Sequence, residues 1–138
     1  MFDYSPIVWE HFSVPRNAGT LPNNTVSEHS HGHDPGILRY AHGRAGSIDE
    51  KSLLHLDIAV NDERIIEARF QAYGCGVTIA CGSWLCEQLG GKTLPQAVTL
   101  DSAAIAAGLA LPALKIRCAV IAEQALSAAV KDYQQIRS

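Results

Sequence analysis

Two stretches in the middle of the chain limit the fold more than anything else in the sequence. Leu54, Leu56, Ile58 and Val60 alternate with His55, Asp57, Ala59 and Asn61, and Ile66, Ala68, Phe70 and Ala72 alternate with Glu67, Arg69, Gln71 and Tyr73. A period of two marks a strand buried on one face only. Asn61-Asp62-Glu63-Arg64 supplies a polar turn between them, which predicts an antiparallel hairpin with one apolar face. That face must be covered, and the rest of the chain offers helices to do it.

Ser5-Pro6 reads as a capping serine followed by proline at the first helical position, and Val8 and Phe12 fall one turn apart, so a short helix should run from there and stop before Pro15. The stretch from Asn17 to Pro35 is rich in turn signals and is read as mostly loop. Ile37 to His42 reads as one further strand, and Gly43 to Lys51 as a polar connection. After the hairpin, Val77 to Leu89 is apolar or small at nearly every position, which suggests a buried helix ended by Gly90-Gly91. Asp101 caps a short helix. Leu114, Cys118, Ile121, Ala122, Ala125, Ala129, Tyr133 and Ile136 recur at helical spacing and predict a long terminal helix with one inward stripe. Strands grouped ahead of helices give an α+β fold with a small antiparallel sheet.

A chain of 138 residues, 47% of them hydrophobic, is the right size for a single domain over residues 1–138. Its net charge of -3, with no long charged block, gives no electrostatic footprint for nucleic acid or an anionic membrane. The start lacks the basic and then apolar segments of a secretory signal, and no apolar run reaches the roughly 18 residues needed to cross a bilayer. A cytoplasmic protein is expected, with its four cysteines reduced.

Cys75 stands between glycines in Tyr73-Gly74-Cys75-Gly76, where the last strand ends and the buried helix begins. The glycines permit a sharp turn, and the unpaired N–H groups of a helix start favour the thiolate that ligates metal or attacks a sulfur donor. The plainer alternative is a small residue filling the turn. Cys118 lies on the inward stripe of the terminal helix, where a packing role competes with a thiolate flanked by the cations Lys115 and Arg117. Cys81 and Cys86 sit inside the apolar helix and read as packing residues.

Four short motifs in this order, Ser5 to Gly19, Val60 to Phe70, Tyr73-Gly74-Cys75-Gly76, and Leu111-Pro112-Ala113-Leu114-Lys115-Ile116-Arg117-Cys118, closely resemble successive motifs of the IscU/NifU iron-sulfur cluster scaffolds. The match runs nearly end to end. It implies the family's three-stranded sheet backed by helices, and a labile iron-sulfur cluster, of 2Fe-2S type, or iron, built on three cysteines aided by an aspartate, with a histidine before the third cysteine. Cys75 matches the second cysteine and Cys118 the third, the position that receives sulfur from a cysteine desulfurase and so the candidate persulfide acceptor. Leu111 to Lys115 resembles the segment gripped by a dedicated chaperone, with Ala113 where proline is usual.

The chain departs from that pattern at its ligands. The family's Cys-Gly-Asp motif faces Arg44-Ala45-Gly46-Ser47-Ile48-Asp49, which has no cysteine, and the histidine position is Arg117, whose guanidinium stays protonated and cannot bind metal. Asp49 is the candidate substitute for the aspartate. Two thiolates leave a cluster short of its usual four cysteines. The replacements to consider are Cys81, a histidine from elsewhere, or a second subunit in a homo-oligomer. His29, His31 and His33 fall on one side of an extended loop and suit zinc, nickel, copper or iron, against the alternative of a solvated loop. His42 and His55 are nearer in sequence, with His55 expected on a solvent face. Three functions follow: a non-enzymatic scaffold for iron or a labile cluster, an adaptor or regulator that keeps only the partner surfaces, or a sulfur acceptor or zinc-binding protein.

Overall fold

The computed structural model describes residues 4–22, 26–28 and 37–137. His29, His31 and His33 lie outside them. Helix α1 (Pro6–Ser13) is followed by four strands, β1 (Val26–Glu28), β2 (Ile37–Ser47), β3 (Ser52–Asn61) and β4 (Arg64–Gly74). Helices α2 (Gly76–Leu89), α3 (Leu94–Ala97), α4 (Ser102–Leu109) and α5 (Ile116–Arg137) complete the chain, with a 3₁₀ turn at Ala113–Lys115 leading into α5. The strands pair antiparallel in the order β1-β2-β3-β4, so three long strands form the expected sheet and a short one is added at its edge.

The hairpin forms because its turn can. Asp62 and Glu63 both adopt left-handed backbone, at φ 53° and 63°, which matches the twist of the flanking strands. Tyr133 of α5 donates a 2.6 Å hydrogen bond to Glu63 and ties the turn to the far end of that helix. Leu54, Leu56 and Ile58 are fully buried, as their alternation requires. The second strand differs at one place. A register shift at Ala59/Val60 gives β4 an extra residue, so Ile65 pairs with Val60 and is buried, whereas Ile66 is exposed. From Ala68 onward the expected alternation returns.

Strand β2 is also longer than its hydrophobicity suggests. Gly43 to Ser47 continue the ladder with β3, from Gly43↔Leu56 to Ser47↔Ser52, leaving only residues 48–51 as the connection. A glycine is needed at position 43 because α5 lies directly on it. A Cβ on Gly43 would run into the backbone of Ala125 and Ala129. The buried Ala119, Ala122, Ala125 and Ala129 are the matching small stripe on the helix. Helix α2 covers β4, and α1 is fixed to α2 by His11, whose Nδ1 is 2.7 Å from Ser83 Oγ. Ser5 caps α1, accepting from the Val8 N–H, as the sequence predicted. The outer edge of β4 is partly closed by the segment after α1, since Gly19 donates to Phe70 and Phe70 to Asn17.

Gly43→Ala forces a methyl group against helix backbone, which cannot yield as a side-chain end would. It should lower stability by about 2–3 kcal/mol, seen as a lower urea midpoint with unchanged slope.

Candidate functional site

Cys75 is the N-cap of α2, with its carbonyl accepting from Thr78 N–H at 2.9 Å. It is held there by the turn out of β4. Gly74 has φ +137°, and a Cβ at that position would strike the Lys51 carbonyl across the strand pair. The Cys75 sulfur is half-buried and borders a shallow depression lined by Lys51, Ala72, Tyr73 and Gly74. Cys118 comes from the first turn of α5, and the docking of that helix places its sulfur 3.9 Å from that of Cys75.

Polar groups converge on the two sulfurs. Thr78 Oγ1 is 3.6 Å from each, and it is 2.9 Å from Ser52 Oγ at the start of β3. With the Ser52 hydroxyl donating to Thr78, the threonine hydrogen is available to sulfur. Lys115 Nζ lies 3.9 Å from Cys75. The Cys118 thiol donates to Cys75 and, against the penalty of burial, joins Thr78 and the backbone N–H groups of Thr78 and Val77 in holding the Cys75 thiol down to about 4. Cys118 is pushed the opposite way, because it keeps the proton it donates and because it is buried. The two shifts describe one dithiol that gives up its first proton easily and retains the second.

The other sequence candidates are placed elsewhere. Helix α2 begins at Gly76, so Cys81 lies inside it, 1% exposed and with its thiol pushed up to about 12 by burial. Cys86 is buried too, and burial raises its pKa. Asp49 sits in the exposed turn after β2, beside Arg44 and Ile48 rather than beside the cysteines. Ala45 is a partly buried packing residue within β2, paired with Leu54. The expectation that Lys115 and Arg117 both support Cys118 needs correcting: Lys115 reaches Cys75, and Arg117 turns away to Glu50 at 3.0 Å. His42 Nδ1 is 2.7 Å from Asp57, near His55 and Gln71, on the flank of the sheet. Among the described residues no group of three or more His, Cys, Asp or Glu is placed to hold a metal.

Sequence reading missed Ser52 and Thr78. Thr78 was open to discovery, since it stands three residues after a helix-capping cysteine, the spacing at which side chains of a first turn meet the cap. Ser52 had no local signal. It arrives only through the β3–β4 register, where it lies opposite Gly74.

Fold and site together define a small α+β domain that presents a dithiol where a sheet hands over to its covering helices. Residues 3–138 match the NifU-like N terminal domain, and the chain belongs to that family. It is 39% identical over 135 residues to the iron-sulfur cluster assembly scaffold protein IscU of Escherichia coli K12, covering 97% of this chain and 96% of that protein. It is 40% identical over 132 residues to the IscU scaffold of Azotobacter vinelandii, covering 95% and 94%. The N-terminal part of a NifU-like protein from Brucella abortus shares the fold at a TM-score of 0.68 and 11% identity, over 95% of this chain and 94% of that one.

Because the folded pKa of Cys75 is depressed, its thiolate is lost only as pH falls through about 4. Between pH about 7.5 and 5.5 an ordinary thiol slows about a hundredfold toward iodoacetamide. Cys75 should slow less than about twofold, with Cys81 and Cys86 unlabelled, as read by mass spectrometry of the alkylated peptides. Thr78→Val removes a donor and should restore part of the slope.

Proposed function

We propose that this protein is a scaffold that carries iron or a labile iron-sulfur cluster as cargo on Cys75 and Cys118, and takes up sulfur delivered by a cysteine desulfurase. The observation that carries the reading is the separation of the two sulfurs. Two thiolates bound tetrahedrally to one metal at about 2.3 Å are about 3.8 Å apart, and here the two sulfurs stand 3.9 Å apart. The low first pKa of the pair supplies one thiolate in advance, and metal binding displaces the second proton.

The pair fills only part of a cluster's coordination. A 2Fe-2S unit has four terminal positions, and two thiolates occupy half of them. The remainder fall to water, to a side chain brought in by Asp49 or the His29, His31 and His33 segment, or to a thiol from another molecule. Such a cluster is labile, which suits cargo that must be handed on. Zinc has the same thiolate geometry, and this defines the second reading, a zinc-binding sulfur acceptor.

Partner surfaces fit the same proposal. The Leu111–Lys115 segment leads into the site, and Leu114 is 80% exposed within it. A large apolar side chain held outward on a short turn is suited to a chaperone's peptide groove. No helix among the described residues is long and apolar enough to cross a membrane.

Anaerobic reconstitution with ferrous iron and sulfide should give visible charge-transfer absorbance, lost in Cys75→Ala and in Cys118→Ala. A colourless wild-type protein after reconstitution would count against the scaffold. Metal analysis of protein purified without an affinity-tag metal separates the two readings, iron supporting the first and zinc the second.

A further inference from the structure

We propose that the Cys75–Cys118 pair also acts as a persulfide-resolving dithiol, taking a sulfane sulfur on Cys75 and releasing it as sulfide when Cys118 closes a disulfide. This rests on the reading above that the site accepts sulfur, and it assigns the order of events at that site and its product.

Accessibility sets the order. The Cys75 sulfur opens onto the depression beside Lys51 and Tyr73, whereas Cys118 is 6% exposed and stands behind it. A donor persulfide approaching from solvent therefore meets Cys75 first. This reverses the assignment that the family resemblance gives to Cys118. Once Cys75 carries the extra sulfur, the thiol that resolves it is already in place, since Cys118 Sγ is 3.9 Å from Cys75 Sγ. Thr78 touches both sulfurs and keeps them facing each other. Lys115, on the Cys75 side, places a cation where the departing sulfide anion forms.

The steps balance. In the first, the Cys75 thiolate attacks the outer sulfur of a donor R–S–SH; the new Cys75 S–S bond forms, the donor S–S bond breaks, and R–S⁻ leaves with the electron pair. In the second, Cys118 attacks Cys75 Sγ; the Cys75–Cys118 bond forms, the bond to the added sulfur breaks, and that sulfur leaves as HS⁻, the Cys118 proton passing to it or to solvent. The sulfane sulfur is reduced by two electrons and the two cysteines are oxidised to a disulfide. A dithiol reductant, forming its own disulfide, returns the pair to the thiol state.

The test uses the full, reduced chain under nitrogen, with inorganic polysulfide as donor and no other thiol, so that neither a desulfurase nor iron is needed. Wild-type protein should release sulfide stoichiometrically, lose the mass of two hydrogens, and yield a Cys75–Cys118 crosslinked peptide. Cys118→Ser should retain one added sulfur on Cys75, and its sulfide release should fall below wild type by one equivalent per chain, to the amount that loading from polysulfide itself leaves. Cys75→Ser should take up no sulfur. Circular dichroism confirms that each variant is folded, and the two variants report independently. A wild-type adduct stable without added thiol, sulfide release by Cys118→Ser equal to wild type, or loading of Cys75→Ser as fast as wild type would each overturn the proposal. Iron-dependent absorbance is read separately, so a failure here is distinguishable from failure of the scaffold reading.

Discussion

Where α5 crosses β2, helix and sheet are separated by no more than a glycine allows. Gly43 faces the backbone of Ala125 and Ala129, so the height of α5 above the sheet is set by the absence of side chains on both surfaces. Packed interiors resist small displacements. The same helix carries Cys118 in its first turn, while its far end is held by Tyr133 on the Glu63 turn. The position of one sulfur is therefore fixed by contacts well removed from it. The other is fixed by the Gly74 turn and by β4, over which Gly82 of α2 lets the Phe70 ring pack against the helix. The 3.9 Å separation is a result of these two dockings.

With the sulfurs held together, electrostatics follows from what surrounds them. Two thiols at this distance cannot both ionise cheaply, and the hydrogen-bond donors are arranged so that Cys75 ionises first. Each donor has a structural origin. Thr78 belongs to the first turn of the helix that Cys75 caps, Ser52 is delivered by the sheet register, and Lys115 ends the turn preceding α5. Arg117 is absent from this set. Its pairing with Glu50 joins α5 to the turn after β2 at the surface, where both side chains remain about half exposed and the pair contributes little to stability.

The sequence was most legible where periodicity and end signals agree. The Leu54–Val60 alternation, the Ser5-Pro6 start, the Asp101 cap and the inward stripe of α5 from Cys118 to Tyr133 each rest on local physics, and the structure follows them; Leu114, expected on that stripe, instead lies in the 3₁₀ turn before α5 and is 80% exposed. Reading failed where a tertiary contact decides. Residues 43 to 47 look like a connection because they lack the bulky residues that mark strands: Gly43 makes room for α5, and Gly46 takes a positive φ against the backbone of β3. Ile66 looks buried until the bulge turns it outward, and bulges leave no clear mark in a single sequence. At the site, Cys75 was recognisable from its flanking glycines and its place at a helix start. The nearness of Cys118, and the role of Ser52, depend on how distant segments pack.

The missing ligands acquire a physical meaning in this frame. Ala45, where resemblance to the family places a cysteine, contributes a methyl group to the packing of β2. Arg117, where it places a histidine, contributes an exposed ion pair. Neither position retains a group that could return to the sulfurs, so among the described residues the site is a dithiol with open coordination. On the two proposals together, the same pair serves two reactions that exclude each other. A metal needs the sulfurs apart, at about 3.8 Å and both unprotonated, whereas sulfide release leaves them joined at about 2.05 Å and unable to bind iron. Sulfur arriving before iron would oxidise the pair, and iron arriving first would occupy it. The order of supply, together with the dithiol reductant that reopens the disulfide, then decides whether the protein builds its cargo or delivers free sulfide.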